Sequence, residues 1–195
     1  MSESHPELTE KINMILDSNN LHSDMKNIIL KFLFVFNVFE FEFFDEPKYD
    51  EDGKFQLKRV PDRIELIQKF FDMNKYTQEF LNSLILLQSH FNKLYINNDK
   101  TTDRFKTLLK FNYKTQTYDT VEEKNLKSFL YQNLNNDRQD AVKNALTISY
   151  RFRNNLFHGK KDIQELNKYK EDFSEITNFL ISLMRYFEKK EATKF

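Results

Sequence analysis

Two glycines and three prolines in 195 residues leave this chain few places to turn tightly. An all-β sandwich needs many turns, and turns draw on those two residue types. The chain is therefore expected to run through long continuous elements, and the periodicity of its apolar residues makes them helices. The spacing predicts helices over residues 6–17, 24–44, 63–95 with a break near Asn74, 102–111, 121–134, 137–157 and 163–189. Ser23 or Asp24, Asp62, and Thr102 or Asp103 are the expected N-caps. Residues 45–60 hold Pro47, Asp50, Glu51, Asp52 and Gly53 and read as a loop with a small hairpin. The run Phe39-Glu40-Phe41-Glu42-Phe43 also alternates like a strand, so strand content is expected only within about 39–60. Residues 112–120 are polar and expected to be irregular.

The last predicted helix has the clearest pattern. Leu166, Phe173, Leu180 and Phe187 are spaced by seven, with Tyr169, Ile176 and Leu183 between them. This is the seam of an antiparallel bundle or of a dimer. With no Pro/Gly/Ser linker, residues 1–195 are expected to form one all-α domain, an antiparallel helical bundle with a sizeable core.

Composition narrows function by exclusion. Thirty basic and thirty acidic residues cancel, so bulk charge advertises neither nucleic acid nor membrane. Cysteine is absent, which excludes disulfides and thiolate metal sites and fits a reducing, cytoplasmic setting. No secretory signal opens the chain. The most apolar run, 28–44, is broken by Lys31, Asn37, Glu40 and Glu42 and is too charged to span a membrane. No P-loop, dinucleotide fingerprint or nucleophile elbow is present, and no cofactor is expected. Asp50-Glu51-Asp52-Gly53 resembles a calcium loop without its following ligand spacing. His5, His22 and His90 have no ligand-like spacing and read as surface or capping residues.

Charge is uneven locally. Between Arg138 and Lys161 the bases Arg138, Lys143, Arg151, Arg153, Lys160 and Lys161 face one acid, Asp140. Between Phe39 and Asp52 seven acids face only Lys48. The basic section contains Arg153-Asn154-Asn155-Leu156-Phe157-His158-Gly159. Here a permanent cation stands five residues ahead of a side chain that exchanges protons near neutral pH. Val142, Ala145, Leu146, Ser149, Phe152 and Leu156 draw an apolar stripe, and Arg153 projects about 20° from Val142, inside it. A cation there needs an acidic partner, a wet cleft or a partner subunit. His158 projects roughly 140° from Arg153, so the two converge only if Arg153 wraps the helix end or the last turn unwinds at Gly159.

An accidental Arg-x4-His pair arises in roughly one in seven chains of this composition, and adding Asn after the arginine lowers that to about one in seventy. The structural alternative has Arg153 on a buried carboxylate and His158 capping the helix C-terminus. Glu40 and Glu42, set among phenylalanines, are the candidate carboxylates, although acids on a boundary helix are more often solvated.

The run Tyr150-Arg151-Phe152-Arg153-Asn154-Asn155-Leu156-Phe157-His158-Gly159 resembles the signature of the HEPN superfamily. Those small all-α domains carry Arg, a polar residue, three more residues and His between two late bundle helices. Phe36-Asn37-Val38-Phe39-Glu40 is similar to a Phe-Asn-x-x-Glu run of some bacterial members. The resemblance implies a homodimer whose motifs face each other and which cleaves RNA without a metal. It implies that His158 shuttles protons, Arg153 stabilises the transition-state phosphate and Asn154 orients groups. Lys143, Arg151, Lys160 and Lys161 are then the expected RNA contacts. A toxin or anti-phage defence role follows, with an antitoxin or defence-system partner. The family's silencing tyrosine, two residues after the histidine, is replaced by Lys160, so this chain does not resemble the target of a partner nucleotidyltransferase. The other readings are a catalytically silent HEPN module that binds nucleotide, RNA or protein, and a helical dimerisation module.

Overall fold

The computed structural model describes residues 22–44, 48–49, 55–56, 76–98, 100–109, 111–112, 115–131, 138–157 and 163–192. Among these residues the regular structure is helical except for three hairpins of two-residue strands. The helices are α1 (Ser23–Phe44), α2 (Gln78–Tyr95), α3 (Thr120–Tyr131), α4 (Arg138–Phe157) and α5 (Lys170–Ala192). Two 3₁₀ helices cover Asp103–Leu108 and Ile163–Tyr169. The hairpins pair β1 (Lys48–Tyr49) with β2 (Phe55–Gln56), β3 (Ile96–Asn97) with β4 (Lys100–Thr101), and β5 (Phe111–Asn112) with β6 (Thr117–Tyr118).

The all-α expectation holds, and β1–β2 falls in the predicted insertion. Two details change. Strand content is not confined to 39–60, because β3–β4 and β5–β6 close the turns on either side of the first 3₁₀ helix. A two-residue strand is too short to leave an alternating pattern. The predicted helix over 102–111 is a 3₁₀ helix that ends at Leu108, and the last helix opens with a 3₁₀ segment before α5. The expected start of the second long helix at Asp62 lies outside the described residues, as does the predicted helix 6–17.

Capping explains the helix starts. Thr77 Oγ1 accepts from the Phe80 amide at 3.3 Å at the head of α2. Asp119 Oδ1 accepts from the amides of Val121 and Glu122, each at 3.0 Å, at the head of α3. At the other end of α3, Asn92 Nδ2 donates to the Leu130 carbonyl at 2.7 Å, and Gln88 Nε2 donates to that of Phe129. Side chains of α2 thus satisfy carbonyls that a helix end leaves open. Asn98 (φ 47°) and Gln116 (φ 56°) take left-handed positions beside β3–β4 and β5–β6, turns that a glycine-poor chain must make with other residues.

The organising element is α5, which packs against both α1 and α2. Lys170 pairs with Asp24 at one end and the rings of Phe187 and Phe43 lie 4.8 Å apart at the other, so α5 runs parallel to α1. Arg185 pairs with Glu79 and Asp172 with residues near the end of α2, so α5 is antiparallel to α2. The heptad seam is therefore internal: Leu166, Tyr169, Phe173, Ile176, Leu180 and Leu183 are all buried within one chain. The core is aromatic. Phe173 lies 5.0 Å from Phe32 and 5.3 Å from Phe152, and Phe152 meets Phe91 edge-on at 5.7 Å. Such pairs add to the free energy of area burial. Among the described residues, no helix is long and apolar enough to cross a membrane.

Candidate functional site

Arg153 and Asn154 sit in the last turn of α4, and the residue before them holds that turn in place. Phe152 is fully buried between the rings of Phe91, Phe173 and Tyr169. Its neighbour Asn155 donates through Nδ2 to the Thr107 carbonyl at 2.7 Å, tying the turn to the first 3₁₀ helix. Arg153 follows Phe152 around the helix and emerges at the edge of the core, where its side chain is 30% exposed. One guanidinium nitrogen, Nη1, donates to Asn154 Oδ1 at 3.3 Å.

The cation on the apolar stripe has an acidic partner. Arg153 Nη2 lies 3.6 Å from Glu40 Oε2 on α1, whose side chain is 25% exposed. Glu42, two residues on, is exposed. The helical turn between them explains the choice: Glu40 borders the face of α1 that meets the core, and Glu42 points away from it. At 3.6 Å the Arg153–Glu40 contact is an ion pair without a close hydrogen bond. A phosphate oxygen can displace such a carboxylate more readily than one held bidentately.

Arg151 differs. Its Nε and Nη2 donate to the two oxygens of Glu122 at 2.7 and 2.9 Å. This fork joins α4 to α3, and both side chains are less than one-fifth exposed. The residue expected to contact RNA is thus engaged inside the protein. Lys143 is half-buried, two turns before Arg151. His158, Gly159, Lys160 and Lys161 lie outside the described residues.

A second polar centre lies behind this turn. Asp172 is completely buried, yet it accepts from His90 Nε2 at 2.7 Å, Tyr95 Oη at 2.9 Å and Arg104 Nη2 at 2.7 Å. Arg104 also donates to the Lys168 carbonyl at 2.9 Å and stacks over the rings of Tyr169 and Tyr95, at 4.5 and 5.2 Å. Burial, with the Asp172 charge beside it, pushes the Tyr95 phenol well above its ordinary range. Burial opposes the Arg104 charge, but Tyr95 and Asp172 outweigh it and raise the guanidinium pKa. His90 is therefore a partner of a buried carboxylate, with its side chain 13% exposed, and not the surface or capping residue expected.

One signal for this centre was present in the sequence. Asp172 falls three residues after Tyr169 and four before Ile176, on the apolar seam itself. An acid there must meet a donor. The two centres are linked: Thr107, which receives Asn155, donates through Oγ1 to the Arg104 carbonyl at 2.8 Å. Among the described residues, no group of three or more acidic or histidine side chains could hold a metal ion.

Comparisons with family models, with curated proteins and with solved structures give no significant match to this chain.

Proposed function

We propose that this protein is a metal-independent endoribonuclease of the HEPN type, acting as a homodimer in toxin or anti-phage defence. The observation that carries the reading is the 3.6 Å approach of Arg153 to Glu40. Glu40 and Arg153 belong to the two stretches that separately resemble the family, and they meet although they lie more than a hundred residues apart in sequence. In this mechanism His158 takes the proton of an RNA 2′-OH, which attacks the adjacent phosphorus; the P–O5′ bond breaks to leave a 2′,3′-cyclic phosphate, and the imidazolium passes the proton to the departing 5′-oxygen. Arg153 meets the phosphate oxygens as negative charge grows on them, in a half-buried setting where a fixed cation acts more strongly than in water. Asn154, which already accepts from Arg153, holds the guanidinium plane. Glu40 keeps the cation in position until the phosphate replaces it. Lys143, Lys160 and Lys161 supply the attraction for RNA that Arg151, tied to Glu122, supplies less well.

Single-stranded RNA incubated with the purified protein and EDTA tests this. Cleavage is expected, with 2′,3′-cyclic phosphate ends and with DNA spared. Arg153→Ala and His158→Ala should each lower the rate by about 10²–10⁴-fold with helicity unchanged. Equal cleavage of DNA, or wild-type activity in His158→Ala, would overturn the assignment.

A second reading is a catalytically silent module that binds RNA, nucleotide or a protein partner. It draws on the carboxylate partners of Arg151 and Arg153, which neutralise both cations in the isolated chain. Salt-dependent RNA binding without any cleavage would favour it.

A further inference from the structure

Helix α1 is apolar nearly all the way round, yet only part of it is covered. Met25, Ile29, Phe32, Phe36 and Phe39 are buried on the side that meets α5. On the opposite side Phe34 is 69% exposed, Phe41 67% and Leu30 37%. These three positions project within about 40° of one another on an ideal helix and form a stripe about 16 Å long. Asn37 lies on the same stripe and is exposed. A helix with apolar residues on every face is normally buried on every face, and two exposed phenylalanines on one line mark a surface meant for contact.

The edges of the stripe identify the partner. Lys31 and Glu42 are both exposed and project on the same edge of α1, about 20° apart and eleven residues from each other. In an antiparallel pair of identical helices, equivalent edges face each other. Leu30 then lies against Phe41 of the second copy, Phe34 against Asn37, and Lys31 within about one helical turn of Glu42. A parallel pair instead brings unlike edges together and sets Lys31 beside Lys26 and Glu42 beside Glu40, with like charges opposed. The stripe is complementary to itself in one orientation only, as a two-fold interface requires.

We propose that the Leu30–Phe34–Phe41 face of α1 is a docking surface for a second copy of this chain, packed antiparallel about a two-fold axis between Phe34 and Asn37. The assignment rests on the two-fold assembly of the proposed function and names the face that forms it. It also places Glu40, and with it Arg153, beside the interface rather than remote from it.

The test does not involve RNA, and a Phe34→Asp chain that stays dimeric would overturn this face while leaving the homodimer of the ribonuclease reading standing. Sedimentation of the full chain at about 100 µM should give a dimer that dissociates on dilution. Phe34→Asp should give a monomer with unchanged helicity. The chain has no cysteine, so introduced thiols report geometry directly. A Leu30→Cys chain mixed with a Phe41→Cys chain should oxidise to a linked dimer about tenfold faster than either chain alone. A monomer at that concentration would overturn the proposal, including the case where residues outside those described cover the stripe. Faster linking of Leu30→Cys to itself would overturn it too, because that is the parallel arrangement.

Discussion

Asp172 receives three donors while giving up all contact with water, and its neighbours would not tolerate its loss. Replacing it with alanine leaves the Arg104 charge partly buried without its counter-ion and strands the hydrogen-bonding groups of His90 and Tyr95. Breaking a buried charge pair from one side costs about 3–5 kcal/mol. Denaturant unfolding of Asp172→Ala should show a loss of that size. Tyr95 adds a pH dependence. Its folded pKa is raised above the ordinary value of 10.0, so the folded chain holds a proton that the unfolded chain releases first. The stability linked to this proton is complete below pH 10 and declines as pH climbs towards the folded value. Alkaline unfolding followed by circular dichroism should therefore begin above pH 10, and Tyr95→Phe should remove that part of the decline.

At the scale of elements, the last turn of α4 matters most, because Arg153 and Asn154 stand on it. It is held by Phe152 within the core and by the Asn155–Thr107 bond outside it. Asn155→Ala removes the second hold, worth about 1 kcal/mol. Amide exchange in residues 152–157 should quicken, with global stability falling by no more than that amount. Exchange that stays unchanged would mean that Phe152 alone fixes the turn. The helices on this scale were legible in the sequence because spacing decides which side of a helix is buried: Val142, Ala145, Leu146 and Phe152 line the core as expected. The 3₁₀ segments were not, because they differ from α-helix in hydrogen-bond reach, to which the apolar pattern is blind. Nor was the partner of Arg153. Its need for an acid could be read, but the choice of Glu40 over Glu42 depends on how α1 rolls against α5. The Asp172 centre was hidden more deeply, since its acceptor and donors stand 68 to 82 residues apart.

Across the whole molecule, one helix completes what the others begin. α5 carries the seam that covers both α1 and α2, and it supplies the acceptor for three donors drawn from α2 and the first 3₁₀ helix. The same arrangement sets a timetable for synthesis. A ribosome makes α1, α2, α3 and α4 before α5, at about 5–20 residues per second. Until α5 emerges, Phe32 and Phe80 lack the rings of Phe173 and Phe179 that they lie against, and Arg104 lacks the Asp172 carboxylate. The nascent chain therefore carries uncovered apolar surface for the seconds that the synthesis of α5 takes. The helix end that bears Arg153 gains its Tyr169 and Phe173 support only once the second 3₁₀ helix and the first turn of α5 are made.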